Sequence, residues 1–254
     1  MLNATGWVTA MVGIMCCGTL TAKADEESLV KFRFNGDYYS KYIWRGQVLN
    51  DRSVFQPAVY ISAYGFTGSI WGSFDLTNTN SNKGEFTEFD YTLDYSAAVP
   101  GVEYLSFSAG VIHYRFPNTQ FNPTTELYGG LNAAVPLSPA IKVYYDVDQI
   151  KGSYIQLSVG HIIEKLPQWR EDCYCNLQVG ASIGYGTSKY NEGYFGVQVG
   201  ALNDLTISGA LPICIGRWTI KPSLGYSTML TDNVRTATGK SDNLWGGVSA
   251  SVSF

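Results

Sequence analysis

From Val30 to Phe254 the chain repeats with a period of two, and almost no stretch repeats at 3.6 residues. The last segment shows the pattern most cleanly. Leu244, Gly246, Val248, Ala250, Val252 and Phe254 share one face, while Gly247, Ser249, Ser251 and Ser253 share the other. Successive side chains of a strand point to opposite faces, so this is a strand with one apolar and one small polar side. The alternation recurs in Phe66–Thr77, where Ile70, Phe74 and Leu76 oppose Ser69, Ser73 and Asp75. It recurs in Thr87–Ala97 and again across Ile141–Asp148. Counting such segments predicts about twelve strands, near 30–46, 53–64, 67–77, 86–98, 102–114, 124–135, 139–148, 153–163, 174–187, 203–213, 217–229 and 243–254. An even number of strands of roughly 9–11 residues suits a closed transmembrane barrel.

The connections provide an independent criterion. Alternate ones are short: Tyr64–Thr67, Val99–Gly101, Pro136–Pro139 and Cys214–Arg217. The others are long and polar: Thr77–Gly84, Phe116–Pro123, Ser188–Asn203 and Thr231–Asn243. Outer-membrane barrels sort their loops by parity in this way, with short periplasmic turns and longer outer loops. Glu164–Asp172, long and charged on the short side, breaks the rule.

The chain's 254 residues include 15% charged and 14% aromatic side chains, with 18 tyrosines. Soluble domains average about 25% charged residues, so the deficit fits a surface that partly faces lipid. A net charge of -4 argues against a nucleic-acid partner, whose phosphates call for a basic surface. The first residues read as an export signal. An apolar stretch, Trp7–Thr21, precedes the small-x-small site Ala22-Lys23-Ala24 and then acidic Asp25-Glu26-Glu27. The usual basic residue near the start is missing; the stretch is nonetheless short for a membrane-spanning anchor. The expected organisation is a signal peptide over residues 1–24 and a barrel over residues 25–254, located in the outer membrane.

Strands are allowed in hydrocarbon only as a closed barrel, because every backbone group must be satisfied internally. The outward row is then apolar, with aromatic girdles at both interfaces. Phe32, Phe34, Tyr42, Trp44, Trp218, Tyr226 and Phe254 fall on that parity. A soluble barrel or sandwich with the same rows facing a dry core is the competing reading.

Tyr39-Ser40-Lys41-Tyr42-Ile43-Trp44-Arg45-Gly46-Gln47, Gln56-Pro57 and Gly68-Ser69-Ile70-Trp71-Gly72-Ser73 together resemble the opening of the TorF-like family of outer-membrane porins. A second patch runs from Glu126-Leu127-Tyr128-Gly129-Gly130 through Val143-Tyr144-Tyr145 to Tyr154, and the resemblance fades after about Glu164. It implies an outer-membrane barrel with a transport function and names no solute. The terminal Phe254 on an alternating strand looks like the signal read by barrel-assembly machinery.

Opposite the apolar rows, the expected pore lining comprises Arg33, Asp37, Lys41 and Arg45 from the first strand. The middle strands add Glu88, Asp90, Asp94, Glu126, Lys142, Asp146 and Asp148, and the eleventh adds Lys221. Basic groups gather at the seam and acidic groups on the far wall. Such a layout imposes a transverse field on small polar solutes, or else its charges pair and plug the lumen. Two functions follow: passive diffusion of small polar solutes, or a closed structural or adhesion barrel acting through its long loops. The loop Ser188–Asn203, with Tyr190, Tyr194 and Phe195, is able to fold inward as a constriction or outward as a binding surface.

No enzyme and no cofactor is expected. The two histidines, His113 and His161, lie on the outward parity with Arg115 and Ile163 two residues on, where a paired serine nucleophile would be needed. Gly180, Gly184 and Gly186 line a strand face and form no phosphate loop. Cys173, Cys175 and Cys214 fall at the short-turn end of neighbouring strands, and a disulfide from Cys214 to Cys173 or Cys175 is expected there.

Overall fold

The computed structural model describes residues 30–254. The expected signal segment, residues 1–24, lies outside the described residues. Twelve antiparallel strands form a closed ring. They are β1 (Lys31–Tyr39), β2 (Val54–Ala63), β3 (Phe66–Asp75), β4 (Phe86–Ala98), β5 (Leu105–Arg115) and β6 (Thr124–Ala133). The second half comprises β7 (Ala140–Asp146), β8 (Ser153–Ile163), β9 (Leu177–Gly186), β10 (Ala201–Ala210), β11 (Trp218–Met229) and β12 (Asp242–Ser253). Each strand pairs with its sequence neighbour, and β1 closes on β12 through Arg33↔Ser253 to Tyr39↔Gly247.

The alternation dictates which face is which. Phe32, Phe34, Val59, Ile70, Leu93, Leu127, Leu157, Ile207, Leu224 and Leu244 point outward and are exposed. Water-facing apolar area of this extent far exceeds the few hundred Å² that soluble monomers tolerate. Each such side chain gains about 1.5–3 kcal/mol on leaving water. The soluble barrel is thereby excluded in favour of one that spans a membrane. Aromatic pairs mark the two interfaces: Phe34 with Phe254 and Phe66 with Tyr95 at the short-turn end, Phe74 with Phe86 at the long-loop end.

Three departures from the sequence pattern matter. The first strand stops at Tyr39 rather than at residue 46. Ser40 makes the last bonds to the wall, its N–H donating to the Gly246 carbonyl at 2.8 Å and its Oγ accepting from the Gly246 N–H at 3.0 Å. The chain then turns into the lumen as a two-stranded hairpin, Tyr42–Trp44 against Gln47–Asn50. Its tip is Arg45 (φ 47°) and Gly46 (φ 78°), the pair of left-handed residues that a two-residue hairpin turn requires. Tyr42 and Trp44, expected in the lipid-facing girdle, are therefore buried inside the barrel.

The second departure is at β7, which ends at Asp146 rather than residue 148. Asp146 Oδ1 accepts the backbone N–H groups of Asp148 at 2.9 Å and Ile150 at 3.0 Å, folding the chain into a turn. Asp148 is consequently exposed in that turn and is no part of the wall.

The third is the long, charged connection at the short-turn end. It forms strands Gln168–Arg170 and Cys173–Cys175, which continue through Ile213–Ile215 onto the start of β11 as a tab outside the ring. The expected disulfide is not formed there: Cys173, Cys175 and Cys214 are free thiols. Register gives the reason. Cys214 lies directly across from Tyr174, one residue out of phase with both Cys173 and Cys175, so its side chain takes the other face of the ribbon.

Candidate functional site

The long-loop half of the lumen is filled by two chain segments that fold inward. One is the hairpin Tyr42–Asn50. The other is helix α1 (Ser188–Phe195), which resolves the Ser188–Asn203 loop in favour of the inward fold. Asn191 pins the helix: its Nδ2 donates to the Val199 carbonyl at 2.7 Å, and its Oδ1 accepts from Asn203 Nδ2 at 2.7 Å. Tyr190 and Tyr194, one turn apart, pack with ring centroids 4.6 Å apart and planes tilted by 43°, and Tyr194 meets Trp44 of the hairpin at 5.0 Å.

The hairpin reaches from the seam to the far wall. At its tip the Arg45 guanidinium forms a fork with Glu126 of β6, Nη1 to Oε1 at 2.8 Å and Nη2 to Oε2 at 2.7 Å. Arg45 Cζ lies 4.3 Å from the ring centroid of Tyr144, 4.4 Å from Tyr154, 4.5 Å from Trp44 and 5.7 Å from Tyr190. Such a bidentate pair enclosed by aromatic faces is the arrangement in which guanidinium binds best. Gly46 is needed beside it: a Cβ there would come within 2.5 Å of Asp204 Cβ and of Met229 Sδ. The tip thus presses on β10 and β11 as well as β6.

Around the tip, tyrosine hydroxyls donate to the wall carboxylates. Tyr42 donates to Glu88 at 2.9 Å, Tyr114 to Glu126 at 2.8 Å, Tyr128 to Asp94 at 2.5 Å, and Tyr154 to Asp204 at 2.8 Å. Thr124 donates to Asp146 at 2.6 Å. The expected acidic residues Glu88, Asp90, Asp94, Glu126 and Asp146 are all inward and buried. Lys142 lies over the Tyr128 ring at 4.5 Å, and Arg33 over Tyr60 at 4.0 Å. Asp37 and Lys221 both face Ser249 across the seam, Asp37 from β1 and Lys221 from β11.

Two expected lining residues are placed elsewhere. Asp148 is outside the wall, as described. Lys41 leaves it with the hairpin and pairs with Asp51 Oδ1 at 2.9 Å and Asn243 Oδ1 at 3.2 Å, because β1 ends two residues earlier. Lys240 also donates to Asp51. Hydrogen bonds from Lys240 and then Lys41 hold the Asp51 carboxyl below the ordinary carboxylate range. The charge layout changes accordingly: Arg45, assigned to the basic seam, is delivered to the acidic wall.

Asp204, Tyr154 and Tyr190 complete the site; Tyr190 arrives with the loop whose inward fold was one of two expectations, whereas Asp204 and Tyr154 are not among the lining residues expected from the sequence. Asn203-Asp204 side by side in a strand was the available signal, since a bulge opposite Gly184–Tyr185 is what buries both. A narrow crevice lies beside the hairpin at this level, lined by Tyr39, Lys41, Tyr42, Gln56, Trp71 and Trp245. Below it, the short-turn half of the lumen presents Arg33, Asp37, Lys142, Gln156, Ser158, Ser182, Lys221 and Ser223, all partly exposed.

No protein-family model matches the chain, and no curated protein matches it. Solved structures do resemble it. The KdgM porin, determined in complex with disordered oligogalacturonate, is 13% identical with a TM-score of 0.50, covering 88% of this chain and 99% of that one. The NanC porin is 10% identical with a TM-score of 0.49, covering 87% and 98%. An outer membrane channel from Pseudomonas putida F1 is 6% identical with a TM-score of 0.44, covering 89% and 95%. At these identities the likeness bears on the fold alone, which is that of a closed antiparallel β-barrel.

Proposed function

We propose that the chain is an outer-membrane porin for passive diffusion of small polar solutes, related to the TorF-like family and narrowed by its own inward hairpin. The supporting observation is the uneven filling of the lumen: aromatic clusters pack the long-loop half, a crevice lies beside the hairpin on the seam side, and the short-turn half presents partly exposed polar side chains. Arg33, Asp37 and Lys221 line the route below the crevice, and Lys41 stands at its outer mouth. In this reading the long loops face outward, residues 1–24 are removed on export, and Phe254 is read by the assembly machinery. Charged groups along a narrow passage discriminate among solutes by charge and dipole as well as size.

Liposome swelling checks the proposal. Proteoliposomes carrying refolded protein are expected to swell in the smallest sugars and amino acids, at rates falling steeply with solute size. No swelling above protein-free liposomes, in the smallest solute and with folded protein, would remove the porin reading. It would leave the closed barrel, a reading that the packing of Trp44 on Tyr194 favours.

A further inference from the structure

The Arg45–Glu126 pair has an asymmetry that a simple structural salt bridge does not need. The cation arrives on a loop, whereas its surroundings belong to the wall: Glu126 from β6, Tyr144 from β7, Tyr154 from β8, with Tyr190 of α1 closing over it. The wall also carries more carboxyl groups than the one guanidinium engages. Glu88, Asp90 and Asp204 are buried close enough to act electrostatically on the tip or its partners. Asp90, only 6% exposed, has one oxygen, Oδ1, with no hydrogen-bond donor. Buried acceptors left unpaired are costly and normally mark a place where a donor belongs.

We propose that this tyrosine-lined acidic wall is a receptor for guanidinium-bearing solutes, occupied in the present conformation by Arg45 as a built-in ligand. The chemistry selects guanidinium over ammonium. Both Glu126 oxygens are engaged in parallel, which a planar fork satisfies and a point-like ammonium does not. Tyrosine faces at 4.3 and 4.4 Å fit a flat, weakly hydrated cation. Tethering gives Arg45 a high effective concentration at the wall, so a free solute gains the site only when the hairpin withdraws. This inference rests on the porin reading for its biological meaning, since it names the class of solute that the passage would favour.

The test uses full-length mature protein in detergent with Arg45→Ala, which vacates the guanidinium position and leaves Glu126 in place. Methylguanidinium at low millimolar concentration is the probe, with methylurea as its neutral analogue and methylammonium as the non-planar cation. Methylguanidinium is expected to raise the unfolding midpoint of Arg45→Ala by roughly 3–6 °C at saturation, while the two analogues and the wild type show no shift. Adding Glu126→Gln to Arg45→Ala should abolish the shift. Equal responses to methylurea, or no response to methylguanidinium, would overturn the proposal. If Arg45→Ala does not refold alone, its refolding yield with and without each probe gives the same comparison, with the same two outcomes. Binding in detergent requires no passage through the barrel. A wild type that fails to swell liposomes beside an Arg45→Ala protein that binds methylguanidinium would therefore sink the porin reading and leave the receptor.

Discussion

Replacing Tyr42–Asn50 by a short glycine–serine link is expected to raise the single-channel conductance in planar bilayers several-fold over the wild type. The hairpin crosses the lumen from the seam to β6, and its side chains Tyr42 and Trp44 form the centre of one of the two large aromatic clusters. Conductance of a narrow passage follows its smallest cross-section, and the hairpin with its aromatic packing takes up lumen at the level of the seam-side crevice. The ring itself does not depend on the segment, since β1 pairs with β2 and β12 through residues outside it. The variant should therefore still refold, with a lower unfolding midpoint from the lost aromatic packing. An unchanged conductance in a folded variant would mean that the hairpin does not occupy the lumen in a bilayer.

Glu126→Ala is expected to be the most destabilising single substitution in the lumen, by about 3–5 kcal/mol, because it leaves a buried guanidinium without its anion. Glu126 is 1% exposed and Arg45 9% exposed, so little solvent reaches the pair to compensate. Denaturant titration of refolded protein reads the loss. Combining Glu126→Ala with Arg45→Met should recover most of it, since an apolar side chain of similar length removes the stranded charge. By contrast, Asp51→Ala at the outer mouth should cost at most about 1 kcal/mol, because Lys41, Lys240 and Asp51 are all solvent-accessible. If Glu126→Ala is no more harmful than Asp51→Ala, the tip does not engage the wall as described.

The wall was legible in the sequence because its physics is local. A strand between lipid and a polar lumen must alternate, and segments such as Leu244–Phe254 alternate without exception. Loop parity was legible for the same reason, since each short turn joins two strands whose lengths the bilayer sets. The hairpin was not, because Tyr42 and Trp44 continue the alternation of β1 in phase. Period two does not distinguish a strand in the wall from a strand folded inside it. The turn pair Arg45-Gly46 lacks the Asn-Gly or Asp-Gly signature that would have separated them.

Charge was legible by residue and not by partner. Glu88, Asp90, Glu126 and Asp146 follow from parity, but the pairing of Arg45 with Glu126 depends on a loop crossing the whole lumen. The cysteines show the reverse case. Proximity at the short-turn end was correctly inferred, and a one-residue offset in register, invisible in the sequence, keeps Cys214 on the opposite face from Cys173 and Cys175.

The passage, the inward hairpin and the acidic wall all depend on one object, a closed ring of twelve strands with lipid outside and a partly filled lumen within. Gel migration of refolded protein with and without heating tests that object most directly. A closed barrel resists unfolding by detergent at room temperature, so the unheated sample should run as a compact, faster band that shifts on boiling. Identical migration before and after boiling, in a preparation whose circular dichroism shows strand, would contradict the closed barrel and the passage built on it.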